Sequence, residues 1–474
     1  MSRFFKYKTL DGIRLAVADL GLSLSFDQIL DVLWTPFEMG DRQVGNRLAI
    51  QPMEGCDACS DGRPGELTFR RFERFGAGGA KLIWGEACAV VPEGRANVRQ
   101  LVIQRESVDD LSRLVARTRS AHRETVGDDS DLLIGLQLTH SGRWSCERPI
   151  VVQVDPLLDS RLPSPSGNAS GLRTAHMITD EELDSLLDDY VRAAMLAYQA
   201  GFDFVDLKQC HRYLLNELLA ARLRAGRYGG SYKNRTRFIR TLVARIRNEV
   251  PGLIVATRLN VFDGVPFTKS PEGFGIPVPF DLPVQTCWGT DSMDPMQPDF
   301  AEPIQLVKDL KSLGVLLVNL TLGNPYASPH LLRPFEHSPA DGYSSPENPL
   351  VGVARHVECT RAIQRQVPEM VVIGSGYSYL QQFAFNAAAA EIRTGGVTAI
   401  GIGRGSLSQP DFAHRLQSGQ GLDHRRICRT FSYCTTLMRS KNHPLGQYPT
   451  GCPPFDKEGY GAIWKELHKD AADA

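Results

Sequence analysis

The feature that most constrains this chain is an eightfold alternation of short apolar runs with amphipathic helical stretches. The runs are rich in β-branched residues and apolar on both sides, which is typical of strands covered by helices on one face and packed inward on the other. Eight such units in succession predict an α/β fold, specifically a (β/α)8 TIM barrel. The strand candidates are 47–52, 80–86, 132–138, 202–208, 253–259, 315–321, 370–375 and 397–403.

The helical stretches between these strands carry recognisable start and stop signals. Thr179 is placed to cap a long helix, Glu182 completes a capping box with it, and Gly201 marks its end. The stretches 107–122 and 234–250 show similar patterns. They predict the helices that a barrel of parallel strands requires.

Three segments fall outside the alternation. Residues 1–46 precede it, the Pro- and Gly-rich insertion 265–298 interrupts it after the fifth strand, and the tail 421–474 follows it. We therefore expect an N-terminal extension, a barrel over 47–420, and a C-terminal extension packed on the barrel. No G-x-G-x-x-G motif follows a strand, so no dinucleotide-binding second domain is predicted.

Charge and composition narrow the range of partners. The 474 residues include 53 Lys and Arg against 54 Asp and Glu, a formal net charge of −1, which supports neither a nucleic-acid nor a membrane-surface partner. No apolar stretch approaches the ~20 residues that span a bilayer, and the N-terminus does not resemble an export signal. The 10 cysteines are scattered, as expected for reduced thiols. We expect a cytoplasmic protein that acts on a small-molecule substrate, and a homo-oligomer is compatible with the sequence.

Polar side chains stand at the end of the fourth predicted strand. The sequence FVDLKQCHRYLLNELL, residues 204–219, runs from an apolar strand into Lys208, His211 and Tyr213 before a helical pattern resumes. Three polar tips at one strand end would be costly to bury unless they bind or protonate a ligand. The carboxyl ends of the strands form the active face of such a barrel. These three residues are therefore the first candidates for catalysis.

Several motifs resemble the old yellow enzyme family of FMN-dependent oxidoreductases. They are NRLAIQPM, GEACAVVPEGR, GLQLTHSGR, AGFDFVDLKQCHRYLLNELL, YGGSYKNRTRF, IGSGYS and AIGIGRGSLSQPDF, in this order along most of the chain. The barrel, the NPYASPHLLRP loop and the tail are most similar to the branch that contains 2,4-dienoyl-CoA reductases. The resemblance implies FMN as the cofactor and NADH or NADPH as the reductant.

The resemblance also implies which residues lie around the flavin ring. Backbone and short side chains from the first two strands lie under the ring, and Pro52, Met53 and Ala87 match those positions. An amide that bonds the pyrimidine edge is matched by Gln137. A cation near the N1–C2=O edge, which stabilises the anionic reduced flavin, is matched by Arg258 at the end of the fifth strand.

The phosphate and the tuning of the flavin involve further positions. The phosphate is expected on turns after the seventh and eighth strands, where Ser375, Gly376, Gly403 and Arg404 lie. Glu54 stands where relatives commonly place Thr or Cys near the flavin. An ionised carboxylate there would make reduction harder, or it would pair with a nearby cation, for which the lysine of the fourth strand is the candidate.

The catalytic roles follow from the same resemblance. In the family, two side chains at the end of the fourth strand bind a substrate oxygen, and a nearby tyrosine protonates the α-carbon while flavin N5 delivers hydride to the β-carbon. The matching positions are Lys208, His211 and Tyr213, of which the lysine departs from the usual histidine. Lys208 could complete the oxyanion clamp, serve oxidative chemistry, or turn outward to pair with Asp206 or Glu217.

Four functions follow from these residues. The leading one is an FMN-dependent NAD(P)H oxidoreductase that transfers hydride to the activated C=C of an α,β-unsaturated carbonyl or related substrate. A second is a flavin-dependent dehydrogenase or oxidase acting on an amine or alcohol. A third is a Schiff-base lyase that uses Lys208, because such lyases place their lysine at a barrel strand end. A fourth is a flavin-binding protein that has lost catalysis.

Cysteines in the tail raise the question of a metal cluster. Cys428, Cys434 and Cys452 resemble the positions at which dienoyl-CoA-reductase-like relatives hold a [4Fe–4S] cluster. Phe431 stands where a further cysteine is expected, so a cluster held by four thiolates fails on count. We expect no metal here and free thiols in the C-x-x-C at 56–59. Electrons would then arrive by direct hydride transfer from NADH or NADPH.

Two irregular segments are expected to wall the substrate pocket. They are the insertion 265–298 and the loop at 324–339. Their aromatic residues Phe274, Trp288 and Tyr326 either face substrate or pack into the protein.

Overall fold

A computed structural model of the chain describes residues 4–161, 175–440 and 443–469. Its strands are β1 (Phe37–Met39), β2 (Arg42–Val44), β3 (Leu48–Ile50), β4 (Leu82–Ala89), β5 (Leu101–Val102), β6 (Leu133–Thr139), β7 (Ile150–Val151), β8 (His176–Met177), β9 (Phe204–Leu207), β10 (Ile254–Phe262), β11 (Phe267–Lys269), β12 (Gly275–Pro277), β13 (Leu317–Leu322), β14 (Val371–Gly374) and β15 (Ala399–Ile402). Its α-helices are α1 (Leu10–Asp19), α2 (Glu66–Gly76), α3 (Val108–Val126), α4 (Asp180–Gln199), α5 (Leu214–Leu219), α6 (Tyr232–Arg235), α7 (Arg237–Glu249), α8 (Ala301–Ser312), α9 (Pro329–Leu332), α10 (Pro349–Gln366), α11 (Ala384–Arg393), α12 (Arg404–Ser408), α13 (Phe412–Gln417), α14 (Tyr433–Arg439) and α15 (Ala462–Lys469).

Eight of these strands close into a parallel barrel. Their order is β3, β4, β6, β9, β10, β13, β14 and β15, and β15 pairs with β3 to complete the ring. Each of the eight overlaps one predicted strand. β10 extends beyond its predicted end to Phe262, and β4 extends to Ala89. The predicted (β/α)8 barrel is therefore confirmed.

The capping signals place the helices as the sequence predicts. The Thr179 hydroxyl accepts a hydrogen bond from the Glu182 N–H at 3.1 Å, and the Glu182 carboxylate accepts one from the Thr179 N–H at 2.8 Å. Gly201 follows α4 with a φ of 91°, a conformation that favours glycine. The predicted helix over 234–250 is divided into α6 and α7 at Thr236.

The barrel interior is closed at the amino ends of the strands. Leu82, Leu133, Phe204 and Leu317, each at the start of a barrel strand, pack inside the ring. The β1–β2 hairpin from the N-terminal extension packs against them through Phe37, Met39 and Val44. Burial of this plug leaves the carboxyl ends of the strands as the open face of the barrel. No helix in the described ranges is long and apolar enough to cross a membrane.

Segments outside the repeat pack on the barrel at separate places. The insertion forms the β11–β12 hairpin and is anchored by Trp288, whose indole N–H donates to the Asn260 carbonyl at 3.0 Å. In the tail, the Asp456 carboxylate accepts hydrogen bonds from Arg70 at 2.6 and 2.7 Å and also from Arg74, both on α2. The tail thus lies across the outside of the first helix of the barrel repeat.

Candidate active site

A cavity open to solvent lies at the carboxyl ends of the barrel strands, with about 1100 Å³ of empty space counted together with its mouth. Its walls come from the strand ends, from the loop after β13 and from the tail. Twelve of the predicted site residues line it, namely Pro52, Met53, Glu54, Gln137, Lys208, His211, Tyr213, Arg258, Ser375, Gly376, Gly403 and Arg404. The sequence therefore predicted most of the strand-end residues that the structure brings together.

Ala87 is the predicted residue that the cavity lining does not include. It is buried in β4 beside Gln137 of β6, and the β4–β6 register shifts between Trp84 and Ala87. A register shift changes which side chains alternate toward the barrel axis. The prediction that Ala87 lies under a flavin ring therefore stays a prediction.

A buried carboxylate organises one edge of the cavity. Asp206 in β9 accepts hydrogen bonds from the Trp84 indole and from the Gln137 amide, both at 2.6 Å, and also from the backbone N–H of Arg258. Burial raises the pKa of Asp206, and the bonds from Gln137 and Trp84 oppose that rise. Because the Gln137 Nε2 is engaged, its Oε1 is the atom left to bind a ligand.

The cavity carries a large excess of positive charge. Five cationic side chains line it, namely Lys208, Arg258, Arg333, Arg404 and Arg439. Among the lining residues of the described chain, Glu54 is the one carboxylate. Burial lowers the pKa of Arg404, and burial together with the charges of Arg404 and Arg439 lowers that of Arg333. An anionic ligand would relieve this mutual repulsion.

Unpaired donors show where such an anion would bind. The Arg258 Nε, the Arg404 Nη1 and the Arg333 Nε and Nη2 are buried without hydrogen-bond partners among the described residues. Buried polar atoms normally have partners. A Cβ at Gly376 would lie 2.6 Å from the ring of His356, so only glycine fits there. These donors fit a cofactor with a phosphate and a polar ring edge, as predicted for FMN.

Lys208 points into the cavity. Its Nζ lies 3.5 Å from the Glu54 carboxylate and 3.7 Å from the centroid of the Tyr213 ring. The alternative in which it pairs with Asp206 or Glu217 is wrong, because both carboxylates bind other partners. The hypothesis that Glu54 pairs with Lys208 is confirmed by their distance.

His211 is a neutral hydrogen-bond donor or acceptor at the cavity wall. Burial, followed by the charges of Arg258 and Lys208, lowers its pKa well below 6.5. Its Nε2 is buried and has no partner in the described ranges. A neutral imidazole with one ring nitrogen unengaged can bind a substrate oxygen in a fixed direction.

The backbone that presents these groups adopts an unusual conformation. His211 and Arg212 have φ values of 63° and 59°, which residues other than glycine rarely adopt. Arg212 is buried and forms ion pairs with Asp155 and, at 3.6 Å, with Asp263. The Asn324 amide donates to the His211 carbonyl at 2.6 Å. These contacts hold His211 against the preference of its own backbone.

The two segments expected to wall the pocket behave differently. The loop after β13 contributes Pro325, Tyr326, Leu332 and Arg333 to the lining. The insertion 265–298 contributes none of the lining residues, so that part of the expectation is wrong.

The three aromatic residues singled out in these segments differ in whether they line the cavity. Trp288 is fully buried against β10, and Phe274 is 40% exposed at the surface. Tyr326 lines the cavity and hydrogen-bonds through its hydroxyl to the Tyr213 hydroxyl at 3.0 Å. Tyr326 is therefore the aromatic residue of the two segments that reaches the site.

Sequence reasoning missed the contribution of the tail and of Arg333. Cys434, Thr435, Met438 and Arg439 from α14, with Thr450, complete the lining. A basic residue in a polar segment is normally predicted to lie at the surface in contact with water. Nothing in the sequence around Arg333 or Arg439 indicates otherwise. Only the fold brings them over the barrel mouth.

The tail cysteines are reduced in the structure. Burial raises the pKa of Cys428 and of Cys452, which favours the protonated thiols. In the described part of the chain, no group of three or more His, Cys, Asp or Glu side chains is arranged to hold a metal ion. The expectation that this region binds no [4Fe–4S] cluster stays a prediction.

Comparison with protein families and curated proteins finds related sequences. The model of the NADH:flavin oxidoreductase / NADH oxidase family matches residues 32–270. An NADPH dehydrogenase of Bacillus cytotoxicus is 27% identical over 221 residues, which cover 45% of this chain and 58% of that protein. An NADPH dehydrogenase of a Geobacillus species is 28% identical over 259 residues, covering 52% and 71%. The matched region thus spans little more than half of the first of these relatives.

Solved structures with the same fold include two oxidoreductases. A 2-naphthoyl-CoA reductase in complex with 2-naphthoyl-CoA has a TM-score of 0.66 at 16% identity, covering 92% of this chain and 58% of that chain. An old yellow enzyme homologue from Zymomonas mobilis has a TM-score of 0.58 at 21% identity, covering 84% and 96%. At these identities the likeness shows the shared fold.

Proposed function

Because the chain belongs to the NADH:flavin oxidoreductase / NADH oxidase family, we propose that it is an FMN-dependent NAD(P)H oxidoreductase that reduces an activated C=C bond. The substrate would be an α,β-unsaturated carbonyl or a related compound. The observation that carries this proposal is that donors suited to FMN line the same cavity as His211, Tyr213 and Lys208. Bound FMN would supply hydride transfer through its N5.

Cofactor binding is assigned to the cationic and amide groups of the strand ends. Arg404 donates through Nη2 to the Pro334 carbonyl at 2.6 Å, which fixes the guanidinium and leaves Nη1 for a phosphate oxygen. Gln137, through Oε1, and Arg258 would hold the polar edge of the ring. Arg258 would also offset negative charge on the reduced ring.

Substrate activation is assigned to His211 and Lys208. A carbonyl oxygen bound by the neutral imidazole of His211 gains negative charge as the double bond is reduced, and the Lys208 ammonium stabilises that charge. Both groups are held before the substrate arrives, because Lys208 is paired with Glu54 and the His211 backbone is fixed by Asn324. Preorganisation of this kind avoids reorganisation during the reaction.

Proton donation is assigned to Tyr213. Burial, with the negative charge of Glu54, raises the pKa of Tyr213 well above 10, so the phenol is protonated at neutral pH. As it gives its proton to the α-carbon, negative charge develops on its oxygen. The ammonium of Lys208, 3.7 Å from the ring centroid, stabilises that charge.

Anaerobic stopped-flow spectroscopy of the FMN-loaded protein tests the proposed function. We expect NADH or NADPH to bleach the flavin absorbance, and an enone, an enoyl thioester or an unsaturated acid to restore it. If an amine or alcohol bleaches the oxidised protein and no C=C compound reoxidises the reduced flavin, the dehydrogenase alternative would be favoured. Protein that takes up no FMN would overturn the proposal.

A further inference from the structure

Under the proposed function, Tyr213 must regain a proton after each turnover. The Tyr213 side chain is only 3% exposed. Each reduction of a C=C bond under the proposed function would leave its oxygen deprotonated. Because so little of Tyr213 meets solvent, a neighbouring group that passes a proton to its oxygen would speed the next turnover.

Tyr326 is positioned to be that group. Its hydroxyl lies 3.0 Å from the Tyr213 hydroxyl, and its side chain is less buried than that of Tyr213. Its ring stacks on Trp144 with the centroids 4.4 Å apart. The Trp144 indole N–H in turn donates to the carbonyl of Arg212 at 3.1 Å, immediately before Tyr213 in the chain. The two phenols are therefore held by one connected set of contacts.

A turn within the loop after β13 also fixes the position of Tyr326. The Asn324 side-chain oxygen accepts hydrogen bonds from the backbone N–H groups of Tyr326 and Ala327 at 2.7 and 2.8 Å. The same side chain donates to the His211 carbonyl at 2.6 Å. Asn324 thus ties the loop after β13 directly to the segment that carries Tyr213.

A cation accompanies each phenol. The Arg439 guanidinium lies 4.6 Å from the centroid of the Tyr326 ring, and Lys208 lies 3.7 Å from that of Tyr213. Burial raises the pKa of Tyr326 to about 12, and Arg439 opposes that rise, whereas burial and Glu54 raise the pKa of Tyr213 well above 10. Either phenol can therefore carry negative charge briefly beside a cation.

We propose that Tyr326 is a second proton-carrying residue of the site, which returns a proton to Tyr213 after each turnover. This role rests on the proposed function. Tyr213 first gives its proton to the α-carbon, where a C–H bond forms as its O–H bond breaks. The Tyr326 O–H bond then breaks and the Tyr213 O–H bond forms. The Tyr326 phenolate, stabilised by Arg439, finally takes a proton from water, and no electrons are exchanged in these steps.

Sequential-mixing stopped flow on Tyr326→Phe tests the relay. FMN-loaded protein, reduced by the effective nicotinamide, is reoxidised by 2-cyclohexenone, reduced again after a variable delay, and mixed with a second portion of enone. We expect the first reoxidation to stay within about twofold of the unmodified protein, because Tyr213 begins protonated. The second, after a short delay, should be at least about tenfold slower. It should recover as the delay lengthens, and more slowly in D2O.

A matched control is Tyr433→Phe, which removes a hydroxyl from α14 at a residue 38% exposed, away from the cavity lining. It should behave as the unmodified protein does. Equal first and second rates in Tyr326→Phe would overturn the relay, since Tyr213 would then be reprotonated by another route. A first reoxidation slowed tenfold would also overturn it and would make Tyr326 a residue that positions Tyr213. If no C=C compound reoxidises the unmodified protein, the proposed function fails, and the relay fails with it.

Discussion

The cavity has two walls of different construction. The rim wall consists of residues at or just after the strand ends, namely Pro52, Met53, Glu54, Gln137, Lys208, His211, Tyr213, Arg258, Ser375, Gly376, Gly403 and Arg404. The roof wall consists of residues of the β13 loop and the tail, namely Tyr326, Arg333, Cys434, Met438, Arg439 and Thr450. Neighbouring strands hold the rim wall, whereas a few long-range side-chain and backbone contacts hold the roof wall.

Because the two walls are attached differently, we expect the roof wall to move more freely than the rim wall. Rim residues stand in or directly after the barrel strands, and the ladder between adjacent strands restricts their movement. The tail part of the roof wall is joined to the barrel by Asp456 on Arg70 and Arg74, and by the Thr450 N–H, which donates to the Gly55 carbonyl at 2.6 Å. The roof can therefore loosen while the barrel stays folded, which is common for segments with few buried contacts.

Tyr213→Phe should give the largest effect and tests whether the rim wall carries the chemistry. Loss of a positioned proton donor should slow reoxidation of the reduced flavin by an enone by about 10²–10⁴-fold. FMN affinity should not change, because Tyr213 is not among the donors assigned to the cofactor. Stopped flow measures the rate, and a fluorescence titration of FMN serves as the control. A loss of less than about tenfold would remove Tyr213 from the donor role.

Asp456→Asn should separate the two walls by loosening the roof. Asp456 is buried and pairs with both Arg70 and Arg74, which are partly exposed, so removing its charge should cost about 1–3 kcal/mol. We expect early proteolytic cleavage within the tail and weaker enone binding, while the circular dichroism of the barrel stays the same. Glu458→Gln is the control, because Glu458 is 93% exposed and lies 3.7 Å from Arg70. Equal protease resistance in both variants would show that Asp456 does not hold the roof.

His356→Gln tests the contact between the walls through its dependence on pH. The His356 Nε2 lies 2.9 and 3.0 Å from the carbonyls of Leu331 and Leu332, while its ring packs against Gly376. Burial, helped by the charges of nearby arginines and opposed by the bonds to the two carbonyls, lowers the pKa of His356 from 6.5 to about 4. The unfolded chain therefore binds a proton below pH 6.5 that the folded chain does not bind until about pH 4.

The stability contributed by neutral His356 is thus present above pH 6.5 and is lost as pH falls toward 4, by roughly 3 kcal/mol at most. The glutamine variant should show a shallower fall of melting temperature between pH 7 and pH 4.5. His424→Gln, at an exposed histidine, should leave the slope unchanged. The same slope in all three proteins would contradict the assignment.

Glu54→Gln should give the smallest effect and tests the electrostatics of the rim. Removing a negative charge near the flavin makes its reduction easier, but Lys208 already offsets that charge at 3.5 Å. We expect the flavin midpoint potential to rise by roughly 20 mV, which corresponds to about 1 kcal/mol for two electrons. Spectroelectrochemical titration measures it. An unchanged potential would remove Glu54 from a tuning role.

The sequence predicted the rim wall because short-range patterns determine it. Alternating apolar runs and caps such as Thr179 place the strands, and strand ends in a barrel converge on one face. The β4–β6 register shift beside Ala87 is not visible in the apolar pattern, so the sequence could not indicate whether this residue lines the cavity. The order of the family motifs along the chain then predicted Gln137 and Arg258 as site residues.

The tail part of the roof wall was not predictable because its contacts join distant parts of the chain. Asp456 and Arg70 are separated by 386 residues in sequence, and no local pattern at either residue indicates the other. The composition of the insertion indicates an irregular segment without indicating where it packs. Burial of Trp288 against β10 draws the insertion away from the barrel mouth and leaves the roof to the tail.

The unbalanced charge of the cavity has a practical meaning for handling the protein. Among the residues that the structure describes, four guanidinium groups and one ammonium group share this space with a single carboxylate. Apoprotein in solution will tend to recruit sulfate or inorganic phosphate from the buffer to offset that repulsion. Such salts should raise its thermal tolerance and, by occupying the same arginines, slow its reconstitution. Preparations dialysed into a buffer free of multivalent anions should load with cofactor most completely.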